Sequence, residues 1–300
     1  MKIVLIGVPQ NHGCDKDGVQ YGPQKLVESN LEDRLREKGI EVGYIKYIEV
    51  EKINNEDKFK DDKNIKYYKS IYDTNEKLAD SIYKVLDDGY LPIILGGDHS
   101  VALGSISGVS KYFNNIGVVW IDAHGDFNTE ITSESKNAHG MPLAFLSGHG
   151  KKELVNLYYD EIKVKEENIF HIGGRDIDAK ERDLLNQTKV NLYDKTIVDK
   201  KGFNWIIEDI LIKCKEQSIE ALHISFDIDF MDKYIVPGTG TRVEGGYTVE
   251  DSKYVVRRLI ESNLVKSIDF VEFNPLLDEN NKTLYICDEL LMYFIGLLAK

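Results

Sequence analysis

Six side chains able to ligate a metal fall in three short stretches: His99 in IILGGDHS, Asp122, His124 and Asp126 in WIDAHGDFN, and Asp227 and Asp229 in ISFDIDF. Taken singly, such aspartates are ordinary helix caps or turn residues, and such histidines are ordinary buried polar groups. All six at the ends of apolar runs make a different pattern. Residues i, i+2 and i+4 of an extended chain share a face, so Asp122, His124 and Asp126 are expected to point into one place, as are Asp227 and Asp229. Four carboxylates gathered there would repel one another and take up protons unless cations sat among them. Two divalent ions would balance four negative charges, with His99 and His124 as neutral ligands. Imidazole with carboxylate and no thiolate suits manganese, leaves zinc, iron and cobalt open, and disfavours calcium.

The elements that must position these groups are legible as alternation. Short apolar runs (KIVLIGV, LPIILGG, IGVVWIDAHGD, NIFHIGG, ALHISFDID and SIDFVEFNP) are separated by amphipathic segments, which predicts parallel strands joined by crossover helices. Ligands of such sheets bind beyond the carboxyl ends of the strands, where the six residues lie. Helices are expected in GPQKLVESNLEDRLREKG, with Pro23 in the first turn and Gly39 at the stop, in NEKLADSIYKVLDDG, FNWIIEDILIKCKEQ and TVEDSKYVVRRLIES, and in the final CDELLMYFIGLLAK. The charge-dense run EKINNEDKFKDDKNIKYYK reads as a solvated loop running into a helix. No proline-rich or glycine/serine-rich linker and no repeat divides the chain, so residues 1–300 are read as a single domain.

The totals narrow the partners. A net charge of -13 on 300 residues repels nucleic acid phosphates and anionic membrane surfaces, and suits a small cationic ligand. Three cysteines, Cys14, Cys214 and Cys287, have no CxxC spacing, which fits a reducing cytoplasm. MKIVLIGVPQNHG reads as a first strand rather than a signal, and no apolar run is long enough to span a membrane.

With GGDHS (96 to 100), DAHGDFN (122 to 128), SFDIDFMD (225 to 232), PGTGT (237 to 241) and EFNP (272 to 275) together, the chain resembles the ureohydrolases: arginase, agmatinase and formimidoylglutamase. GVQYGPQKLVESNL also looks like that family's first helix region, so the resemblance spans nearly the whole chain. It implies a three-layer α/β/α sandwich around a mostly parallel sheet of about eight strands, and two Mn2+ per chain. His99, Asp122, Asp126 and Asp229 would bind one ion, and Asp122, His124, Asp227 and Asp229 the other. A hydroxide held between the ions would attack a guanidinium carbon, a poor electrophile that needs so strong a nucleophile. Asp126 would also pass a proton to the departing amine, His139 in NAHGMP would be the proton shuttle, and Glu272 in VEFNP would pair with the guanidinium. Thr241 would lie in the pocket near Glu272.

Within the family the chain looks most like arginase, which implies hydrolysis of L-arginine to L-ornithine and urea. The polar loop NTEITSESKNAHG places Asn128, Ser133 and Ser135 where arginases hold the α-carboxylate; Asp178 matches the residue that receives the α-amino group, with Glu181 one helical turn on. Agmatine would have no use for the Asn and Ser set, and formimidoylglutamate would want a cation that the loop lacks beyond Lys136. Two departures keep formimidoylglutamate or another guanidino acid open as a substrate: Lys233 and Arg242 stand where the family commonly has proline, and Arg242 is a candidate for meeting an anionic group. A single-zinc deacylase of related fold is the rival from another class. Family members commonly form trimers or hexamers, so a homo-oligomer is expected.

Overall fold

A computed structural model describes residues 2–299. Eight strands form one sheet: β1 (Lys2–Val8), β2 (Glu41–Tyr47), β3 (Leu91–Gly96), β4 (Ile116–Ile121), β5 (Ile169–Ile172), β6 (Asn191–Tyr193), β7 (Ala221–Asp227) and β8 (Val265–Val271). They lie in the order β2-β1-β3-β8-β7-β4-β5-β6. Every neighbouring pair is parallel. The connections carry α1 (Gly22–Val27), α2 (Leu31–Glu37), α3 (Tyr68–Asp87), α4 (Ala102–Tyr112), α5 (Pro142–Leu146), α6 (Lys152–Val155), α7 (Ala179–Leu185), α8 (Lys195–Glu216), α9 (Val249–Ile260) and α10 (Lys282–Leu298).

The pleat distributes the core. Ile3 and Leu5 of β1 pack with Leu31, Leu35, Ile206, Ile210, Leu259 and Phe294, while the intervening Val4, Ile6 and Val8 pack with Ile71, Leu78, Ile82, Val101 and Ile106. Successive side chains of a strand point to opposite faces, so a run apolar at every position needs a helical layer on both sides. The expected α/β/α sandwich is the observed one.

Two strands escaped the sequence reading, β2 and β6, and both are edges. An edge strand shields one side only, so its residues alternate or stay exposed; in β2 only Val42 is buried. The segment read as one helix from Gly22 is two, because Asn30 adopts a left-handed φ of 61° between them. Helix α8 starts earlier than expected, at Lys195 behind the Asp194 cap, and bends at Gly202, where φ is 77°. Among the described residues no helix is long and apolar enough to cross a membrane.

Four adjacent strands, β3, β8, β7 and β4, end at the same rim. His99 follows the first, Glu272 the second, Asp227 closes the third and Asp122 follows the fourth. Gly97 lets the rim close, since a Cβ there would sit 1.9 Å from the Gln10 carbonyl oxygen.

Candidate metal centre and cleft

The ligand side chains converge, but not through extended spacing. Strand β4 stops at Ile121, and Asp122 turns the chain by accepting the His124 backbone N–H on Oδ1 at 2.7 Å. Asp227 does the same for the Asp229 N–H at 2.8 Å, opening a single 3-10 turn over Ile228–Phe230. An aspartate bonding the backbone two residues on is a turn former, so these carboxylates shape the loops that aim them. Asp126 and Glu272 have left-handed φ values of 50° and 68°. Such conformations cost a non-glycine residue about 1–3 kcal/mol and persist where the surroundings dictate them.

The Nδ1 atom of His99 lies 3.0 Å from Asp122 Oδ2, 3.0 Å from Asp126 Oδ2 and 3.3 Å from Asp227 Oδ2. It makes no well-directed hydrogen bond to any of them, although it is buried. One N–H can serve one acceptor, whereas a lone pair and three carboxylate oxygens around a point are the donor set of a hard or borderline cation. Beside it, His124 Nδ1 is 3.4 Å from Asp122 Oδ1 and 3.0 Å from Asp229 Oδ2. Ligand atoms thus form two overlapping groups, His99, Asp122 and Asp227, and Asp122, His124 and Asp229. This departs from the expected partition: Asp227, not Asp229, stands beside His99. Asp122 is common to both groups.

The charges fit cations as well. Burial, then Asp229 and Asp122, push Asp227 well above the usual carboxylate range, and burial followed by Asp122 raises Asp126 to about 7. Burial works against the imidazolium of His99 and of His124, yet the surrounding aspartates lift both well above 6.5. Protons are drawn in where divalent ions would neutralise the same carboxylates. His99 is held flat by stacking on Trp120, centroids 4.1 Å apart at 11°, and Trp120 Nε1–H donates to Asp122 at 3.1 Å.

Glu272 is buried beneath the centre and accepts on Oε1 from the His99 backbone N–H at 2.9 Å and from His139 Nδ1 at 3.0 Å. Burial opposes the charge on Glu272, but the His139 hydrogen bond prevails and lowers its pKa. Thr241 Oγ1 donates to Asp229 at 3.1 Å. Above lies a cleft of about 220 Å³ lined by His124, Asp126, Asn128, His139, Gly140, Asp176, Asp178, Glu181, Asp227 and Thr241. Asn128 Nδ2 donates to Asp178 Oδ2 at 2.8 Å on its wall. Ser133 and Ser135 are not in that lining; Ser133 Oγ receives the Lys136 N–H, and the two hydroxyls lie 3.4 Å apart. Arg242 is not there either, its guanidinium donating to the Leu277 carbonyl at 2.9 Å, and Lys233 pairs with Glu244 at 2.8 Å.

Two contributors went unread in the sequence. Asp176 lines the cleft, and its neighbour Arg175 donates to the carbonyls of Asp229, Phe230 and Met231, clamping the turn that carries Asp229. Both sit in HIGGRDID beside Asp178, where the position after a strand was the available signal.

Glu181 is buried and accepts the Phe127 N–H at 2.8 Å; burial, then Asp126 and Asp178, raise its pKa from 4.5 to about 8. Between those pH values the folded chain holds a proton that the unfolded chain has lost, so metal-free stability falls as pH climbs through the window. Glu181→Gln is expected to remove this slope, raising the melting temperature of metal-free protein by several degrees near pH 9 and little near pH 5. Thermal melts of both proteins across the range check it; parallel curves would contradict it.

The sequence profile of the arginase family matches residues 1–296. The chain is 39% identical over 294 residues to the arginase of Staphylococcus aureus strain COL, covering 98% of this chain and 97% of that one. It superposes on the Bacillus subtilis arginase crystal structure with a TM-score of 0.89 at 36% identity, covering 99% of each chain. The Entamoeba histolytica arginase solved in complex with L-ornithine is similar at a TM-score of 0.88 and 32% identity, covering 98% of each.

Proposed function

Because this chain belongs to the arginase family and is a hydrolase acting on a guanidino group, we propose that it converts L-arginine and water to L-ornithine and urea with two manganese ions. The observation that carries the substrate choice is the Asn128 and Asp178 pair on the cleft wall above the carboxylates. An amide and a carboxylate side by side offer a donor to an α-carboxylate and an acceptor to an α-ammonium group. Agmatine presents an ammonium group there but no carboxylate, so the Asn128 amide would find no partner. The similarity to an arginase solved with L-ornithine supports the same choice.

His99, Asp122, Asp126 and Asp227 would hold one ion, and Asp122, His124 and Asp229 the other. When bound, such a pair supplies the Lewis acidity that brings a water's pKa to about 7. Glu272, whose Oε1 is taken by the His99 N–H and by His139, receives the guanidinium on Oε2, fixing the carbon for attack. As the new C–O bond forms, Asp126 accepts the water's proton and returns it to the departing nitrogen as the C–N bond breaks. His139, bonded to Glu272 and partly open to the cleft, exchanges protons with solvent. In the same reading Glu181 and Thr241 line the pocket, and Ser133 and Ser135, outside the lining, shape the loop that follows Asn128.

One domain over residues 1–300, assembly into a trimer or hexamer, and a cytoplasmic setting complete the proposal; three unpaired cysteines suit a reducing compartment. Manganese-loaded protein offered arginine, agmatine, guanidinobutyrate and formimidoylglutamate is expected to release urea from arginine fastest. No urea from arginine beside brisk turnover of another compound defeats the assignment. Asn128→Ala should raise KM for arginine about tenfold, the worth of one hydrogen bond to a charged group, and leave kcat/KM for agmatine alone. Equal losses on both substrates would contradict the role.

A further inference from the structure

A column of polar side chains runs through the apolar centre of the sheet and ends at the candidate metal centre. On β7, His223, Ser225 and Asp227 occupy alternate positions and so share a face; on β8, Ser267 and Asp269 stand opposite His223 and Ser225 in the register. All five are buried. His99 Nε2 lies 2.8 Å from Ser225 Oγ, and Ser225 Oγ is 3.4 Å from Asp269 Oδ2. The same Asp269 oxygen accepts from Ser105 Oγ at 2.6 Å and lies 3.0 Å from His223 Nε2, while His223 Nδ1 is 2.7 Å from Ser267 Oγ.

Stability does not account for this arrangement. A carboxylate taken into a sheet core carries a desolvation cost of several kcal/mol, and well-packed apolar residues in its place are often as stable or more so. Asp269 Oδ1 is moreover left without a hydrogen bond. What the column does possess is a connection to His99. With Nδ1 giving its lone pair to a cation, Nε2 would carry the proton and donate to Ser225, whose own hydroxyl is then directed at Asp269. Stacking on Trp120 fixes the ring's plane but not which edge faces the centre. A flipped ring would offer a carbon in place of Nδ1.

We propose that Ser225 and Asp269 are positioning residues that hold the His99 imidazole in the tautomer and orientation required for metal binding, with Ser105 and His223 orienting Asp269. The inference rests on the binuclear reading above and extends it to the opposite edge of the ligand. Outer partners of ligating histidines are worth about 10–100-fold in metal affinity.

The test is Mn2+ titration of metal-free wild-type, Ser225→Ala, Asp269→Asn and Ser267→Ala proteins, followed by electron paramagnetic resonance, with the visible spectrum of cobalt-loaded samples as a second readout. Ser225→Ala and Asp269→Asn are expected to bind one ion, the one His99 would hold, about 10–100-fold less tightly and to alter the cobalt bands. Ser267→Ala, which touches only the far nitrogen of His223, should stay within about twofold of wild type. Should Asp269→Asn fail to fold, Ser225→Ala alone carries the comparison. Wild-type affinity and spectrum in Ser225→Ala overturn the inference, as does an equal loss in Ser267→Ala. Wild-type protein that takes up no manganese sinks the parent reading instead.

Discussion

Asp122→Asn protein is expected to lose turnover by a factor of about a thousand or more and to hold fewer than one manganese ion per chain after gel filtration. Among the described residues no other belongs to both ligand groups, and each of its oxygens is engaged: Oδ2 beside His99 Nδ1 and under Trp120 Nε1, Oδ1 beside His124 Nδ1 and accepting the His124 N–H. The amide keeps the size of the side chain but removes a negative charge and can turn an NH2 toward a cation. Asp227→Ala should lower metal content and rate together for the same electrostatic reason, with less effect on the second group. Metal analysis beside a urea assay decides both; full manganese occupancy with undiminished rate in Asp122→Asn would contradict its place at the centre.

Glu272→Gln should cost about 2–5 kcal/mol in transition-state binding, read as a kcat/KM for arginine lower by roughly 30- to 5,000-fold. Glutamine preserves volume, retains an acceptor for the His99 N–H and occupies the same left-handed backbone, so the fold should survive. It lacks the charge that a guanidinium demands of a buried partner. Circular dichroism and manganese content like wild type, with kcat/KM fallen, is the expected result. A wild-type kcat/KM would assign Glu272 to holding His139 and the rim alone.

Much of this centre was legible because the chain advertises strand ends: an apolar run stopped by Gly96 and Gly97, or by aspartate, marks the rim of a parallel sheet. The six ligand candidates were found in that way, yet through a mistaken local argument. Period two does not bring them together; the side chains of Asp122 and Asp227 fold their own loops. Partition between the two groups could not be read, because it depends on how β4 and β7 pair across the sheet. Ser225 and Asp269 were invisible for a like reason, being linked only by the register of β7 and β8. The charged run after Ile48 is largely exposed, as expected, but its end is not idle. Lys66 donates to Asp15 and Asn137 at 2.8 Å each, and its backbone N–H to the Lys136 carbonyl, so it braces the loop beside the cleft. Only a folded chain brings residues so distant in sequence into contact.

Strand order carries a further consequence. β8 is the last strand in the sequence, yet it lies between β3 and β7. Until residues 265–271 insert, the edge that bears His99 and the edge that bears Asp227 flank an empty slot one strand wide. A ribosome-bound chain that has not yet exposed that stretch therefore cannot bring His99 and Asp227 together, whereas Asp122, His124 and Asp229 come from β4 and β7, which pair directly. Capture of a pair of ions, rather than of one, then reports that the last strand has closed the β-layer.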